Sequence, residues 1–177
     1  MRLFLEKGYE ATTVEEIAAA AGVSHMTVFR HFPTKESLVF TDRYDALMLA
    51  GISKRPASEP AVDSIIYAVV DIVLGFSDDE LNFARKRSHM IRSVPTLREG
   101  MWAQSLISID VLEQALRKRG GFSESSRLPR MAARIAMAIL TEVSEVWVDE
   151  RTTRRLDELI RDGYAEARLL LIPDSFH

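Results

Sequence analysis

Between Thr13 and Lys35 the chain spells two short helices and a tight turn, and few folds accommodate that punctuation. Thr13 followed three residues later by Glu16 is a capping box, so a helix is predicted over residues 14–21. Ser24 is a natural N-cap for a second helix over residues 25–32, and Pro33 stops it because the residue before a proline avoids helical geometry. Three positions supply the steric logic of a close crossing. Ala18 is small where the helices meet, Gly22 offers a positive φ in the turn, and Val28 is an apolar plug. Two helices so joined can lay the second into a DNA major groove. Thr34 then predicts a further helix from Lys35, an ammonium that opposes the helix dipole unless a phosphate is near.

The rest of the chain reads as helix after helix, with no period-2 segment, repeat or low-complexity tract. A long helix is predicted over residues 35–53, and a linker over residues 54–60 with two prolines. Helices follow over residues 61–76, from the Ser77/Glu80 capping box to 92, from the Pro95 break to 119, and over 128–149 and 153–171. Gly120-Gly121 closes the third of these, and Pro173 ends the ordered part. The fold class is therefore all-α. Domains are expected at 1–54, with the helix-turn-helix, and at 55–177, a helical ligand-binding and dimerisation domain.

Residues 3–40 resemble the DNA-binding domain of the TetR family of bacterial transcription regulators. The likeness runs through Leu3-Phe4, Gly8-Tyr9, Thr12-Thr13-Val14, Ile17-Ala18, Ala21-Gly22-Val23-Ser24, His31-Phe32 and Lys35-Glu36. It implies a homodimer whose C-terminal domain binds a small molecule that releases the protein from its operator. Two departures stand out. Met1 lies seven residues before Gly8, so the family's first helix is expected to be truncated, and Phe29 stands where many relatives carry a tyrosine. The run from Thr27 to Phe32, with Arg92-Ser93-Val94-Pro95-Thr96-Leu97-Arg98, Trp102 and Trp147, resembles a sub-branch with acyl-coenzyme-A-like ligands.

Within the second helix, His25, Met26 and Thr27 fill the first turn, the part that meets base edges in such motifs. Met26 serves equally for packing. Thr27 can donate, accept, or touch a thymine methyl, and His25 can hydrogen-bond a base. His31 and Lys35 are the expected phosphate contacts, with Arg30, Thr13 and Ser24 completing the DNA-binding set; Val28, Phe29 and Phe32 read as core. Charge weighs against a strongly basic module, because residues 1–55 carry seven Lys/Arg and seven Asp/Glu. Weak non-specific binding with a shallow salt dependence is the expectation.

In the C-terminal part, Ile135, Ile139, Leu156, Ile160, Gly163, Tyr164 and Ala167 form apolar stripes on the last two helices and are assigned to a dimer interface. Large apolar side chains at Tyr67, Val70, Leu74, Met90, Met101, Trp102 and Trp147 are assigned to a ligand pocket. The partners expected are a double-stranded operator, a second copy of the chain and a small hydrophobic, acyl-coenzyme-A-like effector, with no membrane.

The reading is a repressor-type regulator of the cytoplasm. The alternative is a helical binding protein that has lost its DNA contacts with its truncated first helix. An enzyme is disfavoured: the four histidines are scattered, and neither a phosphate loop nor a nucleophile elbow is present. No cysteine means no thiolate chemistry or zinc-thiolate site. No catalytic residue, metal or cofactor is expected, and 47% hydrophobic residues with a net charge of −3 suit a packed, solvated domain.

Overall fold

The computed structural model describes residues 1–40, 44–149 and 151–170. Among these the chain forms ten helices and no strand. They are α1 (Arg2–Lys7), α2 (Val14–Ala20), α3 (His25–His31), α4 (Ser37–Phe40), α5 (Tyr44–Ser53), α6 (Ala61–Leu74), α7 (Asp78–Ser93), α8 (Pro95–Arg119), α9 (Leu128–Val148) and α10 (Leu156–Leu169). Their ends follow local chemistry. Thr13 accepts from the Glu16 backbone N–H at 3.2 Å while the Glu16 carboxylate accepts from Thr13 N–H at 3.0 Å. Ser77 and Glu80 form the same reciprocal pair ahead of α7. Pro95 opens α8, and Gly120 and Gly121, at φ 90° and 88°, close it.

Two predicted starts moved. Thr34 Oγ1 accepts from the Ser37 N–H and Ser37 Oγ from the Thr34 N–H, so α4 begins at Ser37 rather than Lys35. Arg155 has extended geometry (φ −71°, ψ 146°), which delays α10 to Leu156. The continuity predicted from 35 to 53 crosses residues 41–43, and the predicted ends at 171 and Pro173 also fall outside the described residues.

Contacts divide the chain into two compact units. One comprises Met1–Asp42 with Asn82–Gln104, the other Arg43–Leu81 with Ser105–His177. The first unit closes around Phe4, Tyr9, Val39 and Leu97, with Met90, Ile91 and Val94 packed against them. Here α7 and α8 complete a core to which α1, α2 and α4 contribute. Arg87 of α7 also donates to the Val39 and Phe40 carbonyls at 2.9 and 3.1 Å, the last carbonyls of α4. Gly100 of α8 leaves room for the Phe40 ring, which a Cβ there would meet at 3.0 Å.

In the second unit α6 packs against α5, α9 and α10, and α10 against α9. The buried side chains include Ile65, Ile66, Val70, Leu112, Leu116, Ala133, Ala136 and Ile160. The 54–60 linker is held by charge. Arg55 donates to both Glu59 carboxylate oxygens at 2.5 and 2.6 Å, and the buried Arg119 guanidinium donates to Ser64 Oγ and to the Glu59 carbonyl.

Candidate nucleic-acid interface

The turn between α2 and α3 has the predicted geometry. Gly22 sits at φ 67°, its N–H reaching Ala19 O and that of Val23 reaching Ala18 O. Ala18 and Val28 are 3% and 6% exposed, and α2 packs on α3. Burying those two turns the opposite side of α3 outward. Ser24 Oγ accepts from the Thr27 N–H at 3.1 Å and lies 2.9 Å from Thr27 Oγ1, fixing the first turn.

Each predicted DNA-contact residue has a defined place. Met26 is 75% exposed, which rules out its packing reading in this subunit. His25 is half-buried, its Nε2 3.0 Å from Glu15 Oε1 and its ring edge-on to Phe29 at 4.4 Å between centroids. Thr27 is half-buried, while Thr13, Ser24, Arg30 and His31 are exposed. Lys35 lies beyond the recognition helix: its Nζ lies 4.3 Å from the Tyr9 ring centre and donates to the Glu10 carbonyl at 3.4 Å. Phe29, read from the sequence as core, is 37% exposed. It cannot be buried on both α3 flanks once Val28 takes the contact with α2.

Glu15, Tyr9 and Glu36 belong to this region and were missed by sequence reasoning. The phenol of Tyr9 donates to Glu36 Oε1 at 2.9 Å across 27 residues of chain, and no local pattern marks that approach. The carboxylate of Glu36 is held below the usual carboxylate range, its backbone N–H being the largest cause, with the Tyr9 and Thr34 hydroxyls adding to it against desolvation.

The remaining assignments separate. Val70 and Trp147 are buried, but Leu74, the last residue of α6, is 48% exposed and Trp102 is 73% exposed. Trp102 lies away from the face of α8 that carries Leu97 and Gly100 into the first unit. Of the ligand-pocket set, Tyr67, Val70, Leu74 and Trp147 belong to the second unit, and Met90, Met101 and Trp102 to the first. None of them lines the two grooves described on the second unit, of about 700 and 650 Å³. Those grooves bring together Ile135, Ile139, Gly163, Tyr164 and Ala167, five of the seven residues that the sequence assigns to an interface.

Ile160, at 2% exposed, is core, and Tyr164 bonds to Asp63 inside the subunit. Gly163 serves an internal approach, since a Cβ there would lie 2.7 Å from Val143 of α9. Leu156 is half-buried. The outward apolar residues on α9 and beside α10 are Leu128, Met131, Val146 and Leu170, with Ile135 at 37%. Among the described residues no helix is long and apolar enough to cross a membrane.

Two capped helices that meet through Ala18 and Val28 about the Gly22 turn, with Met26 exposed at the tip of the second, form a helix-turn-helix of the kind DNA-binding proteins carry. Residues 1–41 match the profile described as bacterial regulatory proteins, tetR family, and residues 59–168 that of the MftR C-terminal domain. The chain is 31% identical over 155 residues to the HTH-type transcriptional regulator TcmR of Streptomyces glaucescens, covering 83% of this chain and 69% of that one. Over 77 residues it is 35% identical to the HTH-type transcriptional repressor KstR2 of Rhodococcus jostii, 38% of each chain. Its fold is similar to that of the transcriptional repressor FadR of Thermus thermophilus, solved with lauroyl-CoA (TM-score 0.55, 22% identity, 100% of this chain and 91% of that). The chain belongs to the TetR family. It is a transcriptional regulator of that family, hence a DNA-binding protein without enzymatic activity.

Proposed function

We propose that this regulator represses transcription by binding a palindromic operator as a homodimer, and that a small hydrophobic ligand releases it. The observation that carries the DNA reading is the first turn of α3. Ser24 fixes it, Val28 anchors the helix, and Met26 stands 75% exposed at its tip. His25, Met26 and Thr27 read base edges, while Thr13, Ser24, Arg30, His31 and Lys35 meet phosphates. Functionally the chain divides into a DNA-reading part, 1–54, and a ligand and dimer part, 55–177.

A second copy covers the grooves on α9 and α10. Exposed Leu128, Met131, Ile135, Val146 and Leu170 form an apolar face of the kind a four-helix interface buries. Two recognition helices about 34–36 Å apart would then match successive major grooves. The ligand is acyl-coenzyme-A-like, held by apolar groups of the second unit among Tyr67, Val70, Leu74 and Trp147. The lauroyl-CoA bound to Thermus FadR supports that ligand class. No cofactor is required, and the cytoplasm is the compartment where such a regulator works.

Fluorescence-anisotropy titration against DNA upstream of the protein's own gene tests this, with and without lauroyl-CoA. Thr27→Ala is expected to relax sequence preference by about 1–3 kcal/mol at one position. Lys35→Ala is expected to weaken every sequence alike and to make the salt slope shallower by about 1. Equal losses for both variants on all sequences refute the division of roles. A slope of log K against log salt steeper than about −6 contradicts the neutral charge balance of residues 1–55.

A further inference from the structure

The lysine assigned to a phosphate is not a free arm. Its ammonium lies over the face of Tyr9, 4.3 Å from the ring centre. That ring is 4% exposed and tilted against Phe4 at 5.2 Å, inside the core that includes Val39 and Leu97. A flexible four-carbon stem loses rotamer entropy when it is immobilised. A rigid aromatic platform settles part of that cost before DNA arrives. The neighbouring residue poses a second problem. Glu36 is an adjacent carboxylate, and if it paired with Lys35 it would neutralise the charge a phosphate needs. The Tyr9 hydroxyl donates to Glu36 Oε1 at 2.9 Å, which gives that carboxylate another partner. Donation to a carboxylate also polarises the phenol and enriches its π face, strengthening the hold on the ammonium.

We propose that Tyr9 is a positioning residue for DNA binding: its buried ring presents the Lys35 ammonium to a phosphate, and its hydroxyl ties one Glu36 carboxylate oxygen to the phenol rather than to that ammonium. Tyr9 itself touches no DNA. The inference rests on Lys35 meeting a phosphate, so its test separates the two. Phosphate contacts are independent of sequence, and the probe is therefore a labelled duplex of random sequence at low salt. Tyr9→Phe keeps the ring and removes the hydroxyl. It is expected to weaken binding about two- to fivefold, the worth of one hydrogen-bond contact. In a Lys35→Ala background the same change is expected to have no further effect, and a purely structural role would give the same loss in both.

No loss with Tyr9→Phe, or the same factor in both backgrounds, overturns the proposal. If Lys35→Ala binds as tightly as the parent, the phosphate contact itself is wrong and the proposal falls with it. A second measurement needs no variant: the Lys35 ε-methylene protons of the free protein, lying over an aromatic face, are expected to resonate upfield of an exposed lysine. Exposed-lysine shifts there overturn the proposal as well.

Discussion

Leu97 tests how far the DNA-reading helices depend on chain that follows them by some sixty residues. It is 0% exposed, on α8, in the cluster with Phe4, Tyr9 and Val39. Leu97→Ala removes three buried carbons and leaves a cavity between aromatic rings, which costs about 2–5 kcal/mol for a leucine in a core. Met1 and Met90 border the cluster, and their flexible thioethers can partly refill the space. A loss of about 3 kcal/mol is therefore the working figure, roughly a 150-fold change in an opening equilibrium. A domain holds only about 5–15 kcal/mol in total. Native-state hydrogen exchange followed on peptides from α2 and α3 reads the effect directly. Their amides are expected to exchange roughly a hundredfold faster, although neither helix contains the substitution. Faster exchange confined to residues 82–104, with α2 and α3 protected as before, would refute the idea that closing this core with α8 holds the whole unit together.

Three further outcomes follow from particular contacts. Gly163→Ala places a Cβ 2.7 Å from Val143 Cγ2. It is expected to destabilise by about 1–3 kcal/mol in urea denaturation despite the better helix propensity of alanine, and Val143→Ala is expected to restore most of that. Thr13→Ala removes the side-chain half of the α2 capping box, leaving the Glu16 N–H without its acceptor, and is expected to cost about 1 kcal/mol, seen as early fraying of 14–20 by NMR. Glu59 is held below the usual carboxylate range, chiefly by its hydrogen bonds from Arg55, against desolvation. The unfolded chain therefore binds a proton at higher pH than the folded one. Stability from this pair is present above the usual carboxylate range and lost as pH falls through the folded value; Glu59→Gln is expected to flatten that part of the stability–pH curve.

What the amino acids settle unaided is most helix boundaries, the starts of α4 and α10 excepted. The Thr13/Glu16 and Ser77/Glu80 boxes, Ser24, Gly22, Pro95 and Gly120-Gly121 act within four residues of themselves, so their chemistry is legible in one dimension. The small-turn-plug sequence Ala18, Gly22, Val28 belongs with them, and so does the exposed tip of α3. The exposure of the apolar stripes on the last two helices was half legible. Helical spacing marks Ile160 and Ile135 as apolar alike, yet one is 2% exposed and the other 37%.

Only the tertiary arrangement decides which stripe meets which. Leu97 completes a core begun at Phe4, Arg87 caps carbonyls 48 and 47 residues earlier, and Tyr9 takes Glu36 as its partner across 27. Gly163 yields its space to Val143 of its own chain. Periodicity tells a residue which side of its helix it occupies, but burial is a property of two surfaces. The second surface comes from residues whose nearness no spacing along the chain encodes.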